Sequence, residues 1–181
     1  LRTYKGGIIG PGWVAENRHV PAFKFEQRCR SYGVYGLPEH YDKTKEFARR
    51  NHIPRAYASL DKMLEDVDIV AICTPPSTHA NLTITAIKYG CHVLVEKPIA
   101  MSPDEARKMT YMAKKAGVKL AVNHNFLFAD AVQRVRRLLE EGKIGELDHI
   151  TGLYMSSEYR RLPKWISNLP GGLFYDEMPH Y

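Results

Sequence analysis

Cysteine is scarce in this sequence. Only three occur, Cys29, Cys73 and Cys91, and they are far apart along a chain of 181 residues. An odd, unclustered set fits neither a disulfide framework nor a zinc site, because both need cysteines in pairs or at short fixed spacings. The sequence therefore predicts no metal site and a reducing compartment, the cytoplasm.

Long apolar runs and blocks of one charge are also missing. No apolar run is long enough to cross a bilayer and no secretory leader is recognisable, so we expect no membrane partner. The formal net charge is +6, but the basic residues are scattered apart from short clusters such as Arg134, Arg136 and Arg137. This favours a solvated surface with some preference for anionic ligands, and no nucleic-acid partner.

Short apolar runs alternate with amphipathic segments. Strands are predicted at 5–9, 31–37, 68–73, 92–95 and 119–122, and helices at 13–25, 41–51, 59–65, 78–90, 102–116 and 129–141. Such alternation predicts an α/β fold with a doubly wound parallel sheet of the Rossmann type. The polar alternation of 148–160 predicts one long strand of an antiparallel sheet. Because a lone strand is not stable, we expect a second domain that is incomplete here.

A glycine-rich turn follows the first predicted strand. Gly10 and Gly12 begin a G-x-G-x-x-A pattern that closes with Ala15. The first glycine permits a tight turn, the second lets the backbone approach a pyrophosphate, and the alanine allows close helix–strand packing. The helix N-terminus then offers N–H groups to the phosphates, so we predict cofactor contacts at Gly10, Gly12, Trp13 and Val14. A turn without nucleotide remains the alternative.

The choice between NAD and NADP depends on the end of the second strand. An acidic residue there binds the ribose hydroxyls of NAD, and Glu39 is the only nearby candidate, although it comes slightly late. A 2′-phosphate would need a basic residue, and Lys43 is the nearest. Glu39 favours NAD, and NADP stays open.

Five segments resemble the glucose–fructose oxidoreductase/inositol dehydrogenase/MocA family, in the same order and over essentially the whole chain. They are Thr74-Pro75-Pro76-Ser77-Thr78-His79, 90–93, Val93-Leu94-Val95-Glu96-Lys97-Pro98, 142–147, and 171–180 with its Gly-Gly…Asp-x-x-x-His pattern. The resemblance implies a dinucleotide-binding Rossmann domain at 1–123. At 124–181 it implies the beginning of an α+β substrate domain, whose mostly antiparallel sheet often forms subunit contacts, so a homo-oligomer is expected.

The resemblance also implies an enzyme that transfers a hydride between NAD(P) and a hydroxyl-bearing carbon of a sugar, sugar derivative or cyclitol. Lys97, Asp176 and His180 would be its catalytic set. Oxidation of an alcohol needs a base with a pKa of about 7, which suits His180, and a cation beside the oxygen, which suits Lys97. Further cofactor contacts are implied for the remaining motif residues, Thr74, Pro75, His79, Glu96 and Pro98, with Lys97 among them.

Some positions depart from the family pattern. Pro170 replaces the first of three glycines, Met178 replaces a glycine, and the arginine that is familiar after 122–125 is absent, with Leu127 nearby. These differences leave the substrate open. Two other functions also remain: a nucleotide-binding sensor or scaffold without turnover, and a redox-neutral sugar lyase or hydrolase that uses bound NAD.

Overall fold

The computed structural model describes residues 3–153 together with Ile166 and Leu169. The chain divides after Asn123 into two compact units. The first contains the whole sheet, and each unit is described by itself.

Six parallel strands form one sheet in the order β3-β2-β1-β4-β5-β6. The strands are β1 (Tyr4–Ile9), β2 (Cys29–Tyr35), β3 (Arg55–Tyr57), β4 (Ile69–Ile72), β5 (His92–Val95) and β6 (Leu120–Val122). The strand order reverses between β1 and β4, and ligands of open α/β sheets bind at the carboxyl ends of strands beside such a switch point. The predicted Rossmann-type parallel sheet is confirmed.

Helices cover both faces of the sheet. They are α1 (Val20–Phe25), α2 (Tyr41–Asn51), α3 (Leu60–Asp66), α4 (His79–Lys88) and α5 (Pro103–Ala116) in the first unit, and α6 (Asp130–Glu140) in the second. Successive strand residues point to opposite faces, so Ile8 joins one buried cluster with Val20 and Phe47, whereas Ile9 joins another with Met63 and Met109. Burial on both faces explains the continuous apolar character of the central strands.

Helix α5 begins and ends where its sequence predicts. The Ser102 hydroxyl accepts a hydrogen bond from the Glu105 backbone N–H at 3.2 Å. The helix ends at Gly117, whose φ of +70° is left-handed and therefore suits a residue without a Cβ atom.

Three of the predicted strands differ from the observed ones by one residue at one or both ends, β2 is displaced by two residues, and one strand was missed. β2 spans Cys29–Tyr35 instead of 31–37, because its pairing with β1 starts at Tyr4 and Cys29 and ends at Ile9 and Tyr35. The edge strand β3 was not predicted. Its three residues are too few for a periodic signal, and they become a strand by pairing with the end of β2.

The second unit begins with a 3-10 turn (Asn125–Phe128) followed by α6. The predicted strand at 148–160 is wrong for 148–153, which are exposed and have no regular secondary structure. A strand needs a partner for its backbone hydrogen bonds, and no strand of the described chain pairs with these residues. Residues 154–160 lie outside the described residues. Among the helices that are described, none combines the length and the hydropathy that a membrane crossing requires.

Candidate functional site

The candidate site lies at the carboxyl ends of β1, β2, β4 and β5. Four connections meet this edge: the glycine-rich turn after β1, a 3-10 turn (Pro38–His40) after β2, the loop from Cys73 to Thr78 after β4, and the segment from Glu96 after β5. Because the strands are parallel, their sequence-distant ends come together here.

The turn after β1 has the geometry that a pyrophosphate requires. Gly10 has a φ of +93°, and a Cβ atom on it would lie 2.7 Å from Cγ2 of Thr74 and 3.0 Å from the carbonyl oxygen of Cys73. At Gly12, by contrast, a Cβ atom would meet nothing within 4 Å. The first glycine is therefore required by the protein's own packing, whereas the second leaves open space next to the backbone. That space fits the phosphates of a dinucleotide.

Trp13 extends from the first helical residues into solvent. Its side chain is 65 % exposed, and the Arg18 guanidinium lies 5.3 Å from the centre of its ring. A ring this exposed is not packed in the core. Val14 is half-buried beside it.

The helix that follows this turn contains a wider π turn (Ala15–His19), in which the Val20 backbone N–H donates to the Ala15 carbonyl. Pro21 follows the π turn after one residue, Val20. Proline has no N–H and would clash with the carbonyl four residues earlier, and the wider turn accommodates both features. The helix therefore continues across Pro21 to Phe25, and His19 is buried at the end of the π turn.

Glu96 lies at the centre of a hydrogen-bonded cluster next to Lys97. Its Oε1 atom lies 2.6 Å from Nε2 of His19 and 2.7 Å from Nδ2 of Asn123, and its carboxylate also accepts the Lys97 backbone N–H. Burial by itself would raise the pKa of the Glu96 carboxyl, but the hydrogen bonds from His19 and Asn123 outweigh it and lower that pKa. Glu96 is therefore an anion that holds the start of the Lys97 turn.

The peptide bond from Lys97 to Pro98 is cis. Lys97 is half-buried at the carboxyl end of β5, and Pro98 is buried. The Pro98 carbonyl oxygen lies 2.8 Å from Nδ1 of His79, and the Thr74 carbonyl oxygen lies 2.8 Å from Nε2 of the same ring. The fully buried His79 therefore joins the loop after β4 to the turn that carries Lys97.

The buried His79 predicts a pH dependence of stability. Desolvation lowers the pKa of its imidazole and outweighs the two carbonyls, which favour the protonated ring. Below about pH 6.5 the unfolded chain takes up a proton at His79 that the folded chain resists, so the free energy of unfolding falls as the pH drops. The free energy of unfolding is measured by urea titration at several pH values. Between about pH 6.5 and 5, it is expected to fall more steeply in wild type than in the His79→Gln variant, by up to about 1.4 kcal/mol per pH unit. Equal slopes for the two proteins would contradict this role.

The end of β2 carries no acidic side chain at the point where it meets the site. Gly36 comes directly after the strand, and a Cβ atom on it would lie 2.5 Å from Oγ1 of Thr44 and 3.0 Å from the Pro11 ring. A carboxylate therefore does not fit at this position. Glu39 lies in the 3-10 turn beyond it and is exposed, as are His40 and Lys43.

The described chain thus brings most of the predicted site residues to one edge of the sheet. Gly10 packs against Thr74, and His79 joins Thr74 to Pro98, whereas Pro75 and Glu39 are exposed. Asp176 and His180 lie outside the described residues. Glu96 and Lys97 directly follow the end of β5.

Two residues of the site were missed by sequence reasoning. His19 and Asn123 hold Glu96, yet they lie 77 and 27 residues away from it along the chain. A polar residue directly after a predicted strand was a usable signal for Asn123, because that strand end meets the site. No local pattern distinguishes His19 from a surface histidine of a helix.

A protein-family model described as "Oxidoreductase family, NAD-binding Rossmann fold" and named for Gfo, Idh and MocA matches residues 4–124. D-Glucoside 3-dehydrogenase of Escherichia coli is 40% identical over 142 residues, and 1,5-anhydro-D-fructose reductase of Ensifer adhaerens is 39% identical over 141. Each match covers 77% of this chain and 40% or 41% of the relative, respectively. The chain therefore spans about two fifths of the length of these relatives.

A similar fold occurs in the crystal structure of a 3-ketoreductase from Actinomadura kijaniata in complex with TDP-benzene and NADP. The two chains are 29% identical, with a TM-score of 0.71, over 80% of this chain and 46% of that one.

Proposed function

Since the chain belongs to the Gfo/Idh/MocA family of oxidoreductases and carries its NAD-binding Rossmann domain, we propose that the whole protein transfers a hydride between NAD(P) and a hydroxyl-bearing carbon of a sugar. The observation that carries the proposal is the position of Lys97. It follows the carboxyl end of β5 in a cis-proline turn, on the same edge of the sheet as the open backbone at Gly12.

Each proposed site residue has a chemical task. When bound, the nicotinamide accepts or delivers the hydride, which is the hard step. The Lys97 ammonium stabilises negative charge on the substrate oxygen as its proton leaves. His180 takes that proton, and Asp176 orients the hydroxyl or the base; both assignments rest on the sequence. The Glu96 carboxylate restrains Lys97 by accepting a hydrogen bond from the Lys97 backbone N–H.

The substrate class is proposed from the relatives. Of the three proteins described above, two are named for chemistry at a 3-position, one as a D-glucoside 3-dehydrogenase and one as a 3-ketoreductase, and the other is named as a 1,5-anhydro-D-fructose reductase. We infer a pyranose or a closely related polyol, oxidised or reduced at a ring carbon. A cytoplasmic location, self-association through the second-domain sheet and the absence of a nucleic-acid partner remain predictions from the sequence.

The first test is cofactor binding followed by turnover in the complete natural protein. NADH and NADPH are titrated separately, and energy transfer from tryptophan to the reduced nicotinamide is recorded. We expect a Kd of about 1–100 μM for at least one cofactor, a range that agrees with ordinary enzyme affinities. The signal is expected to shrink in Trp13→Phe while the affinity changes little.

Turnover is then measured with the cofactor that binds and a panel of methyl glycosides, 3-keto glycosides, anhydrofructose and cyclitols. Reduction or oxidation of the nicotinamide with at least one member is the expected result. Binding without turnover on any substrate would favour the sensor or scaffold. Failure of both cofactors to bind would overturn the proposal altogether.

A further inference from the structure

A histidine with no place in the proposed chemistry is buried under the lysine turn. We propose that His19 is a positioning residue for Lys97 and acts through the carboxylate of Glu96; this inference rests on the proposed function. His19 is 4% exposed and ends the π turn of the helix that begins at the glycine-rich loop. It therefore connects the phosphate-binding end of the site with the lysine end.

The contact between His19 and Glu96 has the form of a charge-assisted hydrogen bond. Its length of 2.6 Å is short for a nitrogen donor, and the side chains are 5% and 14% exposed. Since the lowered pKa of Glu96 makes its carboxylate an acceptor, the proton between the two groups belongs to Nε2 of His19. A buried carboxylate without such a donor would be costly, which gives His19 a defined task.

Asn123 is the second donor to the Glu96 carboxylate. Its side-chain N–H donates to the same Oε1 atom at 2.7 Å, and its backbone N–H donates to the Val95 carbonyl at 2.8 Å. The Glu96 backbone N–H in turn donates to the Ile72 carbonyl at 3.0 Å. Glu96 is thereby held by the first helix, β4 and the end of β6 at once.

The connection to Lys97 is direct. The Glu96 carboxylate accepts the Lys97 backbone N–H, so the orientation of the carboxylate determines where the lysine turn begins. Loss of the His19 donor frees the carboxylate to rotate toward other partners, and the turn loses one of its restraints. Because a displacement of about 1 Å in a reacting group costs on the order of 100-fold in rate, a small shift of Lys97 has a large effect.

The test compares three variants in the complete protein: His19→Ala, which removes the donor, His19→Gln, whose amide restores an N–H near the position of Nε2, and His92→Gln as control. His92 lies on the same strand as the lysine motif but at its other end, where Nδ1 accepts the Lys119 backbone N–H at 3.0 Å. The control therefore loses a histidine hydrogen bond of β5 away from the site.

We expect kcat of His19→Ala to fall by about 100-fold, whereas KM for the sugar and Kd for the cofactor change by less than about three-fold. His19→Gln is expected to recover most of kcat, and His92→Gln to match wild type. Equal kcat in wild type and His19→Ala would overturn the inference. The inference would also be overturned if His19→Ala and His19→Gln showed the same fall in kcat, the same rise in KM and the same fall in melting temperature. That result would indicate a purely structural role.

Amide hydrogen exchange provides a readout that does not depend on turnover. The Lys97 N–H is expected to exchange faster in His19→Ala than in wild type, and at the wild-type rate in His19→Gln and His92→Gln, because it is protected by its bond to Glu96. Unchanged exchange in His19→Ala would overturn the inference. If the wild-type protein turns over no sugar, but the Lys97 N–H still exchanges faster in His19→Ala than in wild type, the positioning role stands and the proposed function is rejected.

Discussion

Lys97→Met is expected to lower kcat by about 1,000-fold in the complete protein, while Kd for NADH or NADPH changes by less than about three-fold. Methionine has a similar length and flexibility, but it lacks the charge that stabilises a developing alkoxide. Removal of a single preorganised donor to an oxyanion typically costs 10²–10³ in rate, and loss of a full cation belongs at the upper end of that range. Rate and affinity are measured separately by steady-state kinetics and by fluorescence titration.

Lys119→Met is the matched control for this prediction. Lys119 is exposed, and it lies at the amino end of β6, which pairs with the same strand, β5. Its replacement removes the same charge at the amino ends of the strands, away from the carboxyl ends where Lys97 lies. Wild-type kcat is therefore expected. An active Lys97→Met enzyme would contradict the assigned role of Lys97. A variant that loses cofactor affinity in proportion to kcat would show that the expected cofactor contact of Lys97 outweighs its catalytic role.

Gly12→Asp is expected to weaken cofactor binding by more than about 100-fold with little change in the unfolding midpoint. A Cβ atom at this position meets nothing within 4 Å of the protein, so the folded chain tolerates a side chain there. A carboxylate in that space occupies the path of the pyrophosphate and repels it electrostatically. Calorimetric titration with the cofactor and thermal unfolding of the apo protein measure the two effects.

Gly10→Ala is the contrasting variant in the same turn. Its Cβ atom would lie 2.7 Å from Thr74 and 3.0 Å from a backbone oxygen, and the φ of +93° is strained for any L side chain. Strain of this kind costs about 1–3 kcal/mol before the steric overlap is added, so the apo protein itself is expected to be destabilised. If Gly12→Asp unfolds the protein as well, or binds cofactor normally, the assignment of the open space to phosphate is wrong.

The sheet was predictable because its signals are local. Burial on both faces makes β4 and β5 continuous apolar runs, and Ser102 and Gly117 mark the ends of α5 in ways that depend only on neighbouring residues. The edge strand β3 has no such signal, since its three residues become a strand only through the register of β2. The strand expected at 148–160 failed over 148–153 for a related reason, because alternation alone does not supply a pairing partner.

The site divides in the same way. The glycine-rich turn and the Glu96–Pro98 segment were found because each is a short contiguous motif at a strand end. His19 and Asn123 were missed because their role arises only when the first helix and β6 meet β5 in the folded sheet. Glu39 was selected as the nearest acid in sequence, and the crowding around Gly36 excludes a carboxylate directly after β2.

The proposed function requires hydride transfer between a sugar carbon and nicotinamide. Hydride transfer is tested most directly by giving the complete protein the oxidised cofactor and a methyl glycoside that carries deuterium on the ring carbon to be oxidised. Mass spectrometry then follows the label. Transfer of deuterium to the reduced nicotinamide, slowed about 1,000-fold in Lys97→Met, is the predicted result. Release of the label into water, or its retention on the sugar while product forms, would contradict hydride transfer and favour redox-neutral chemistry or no role for the cofactor.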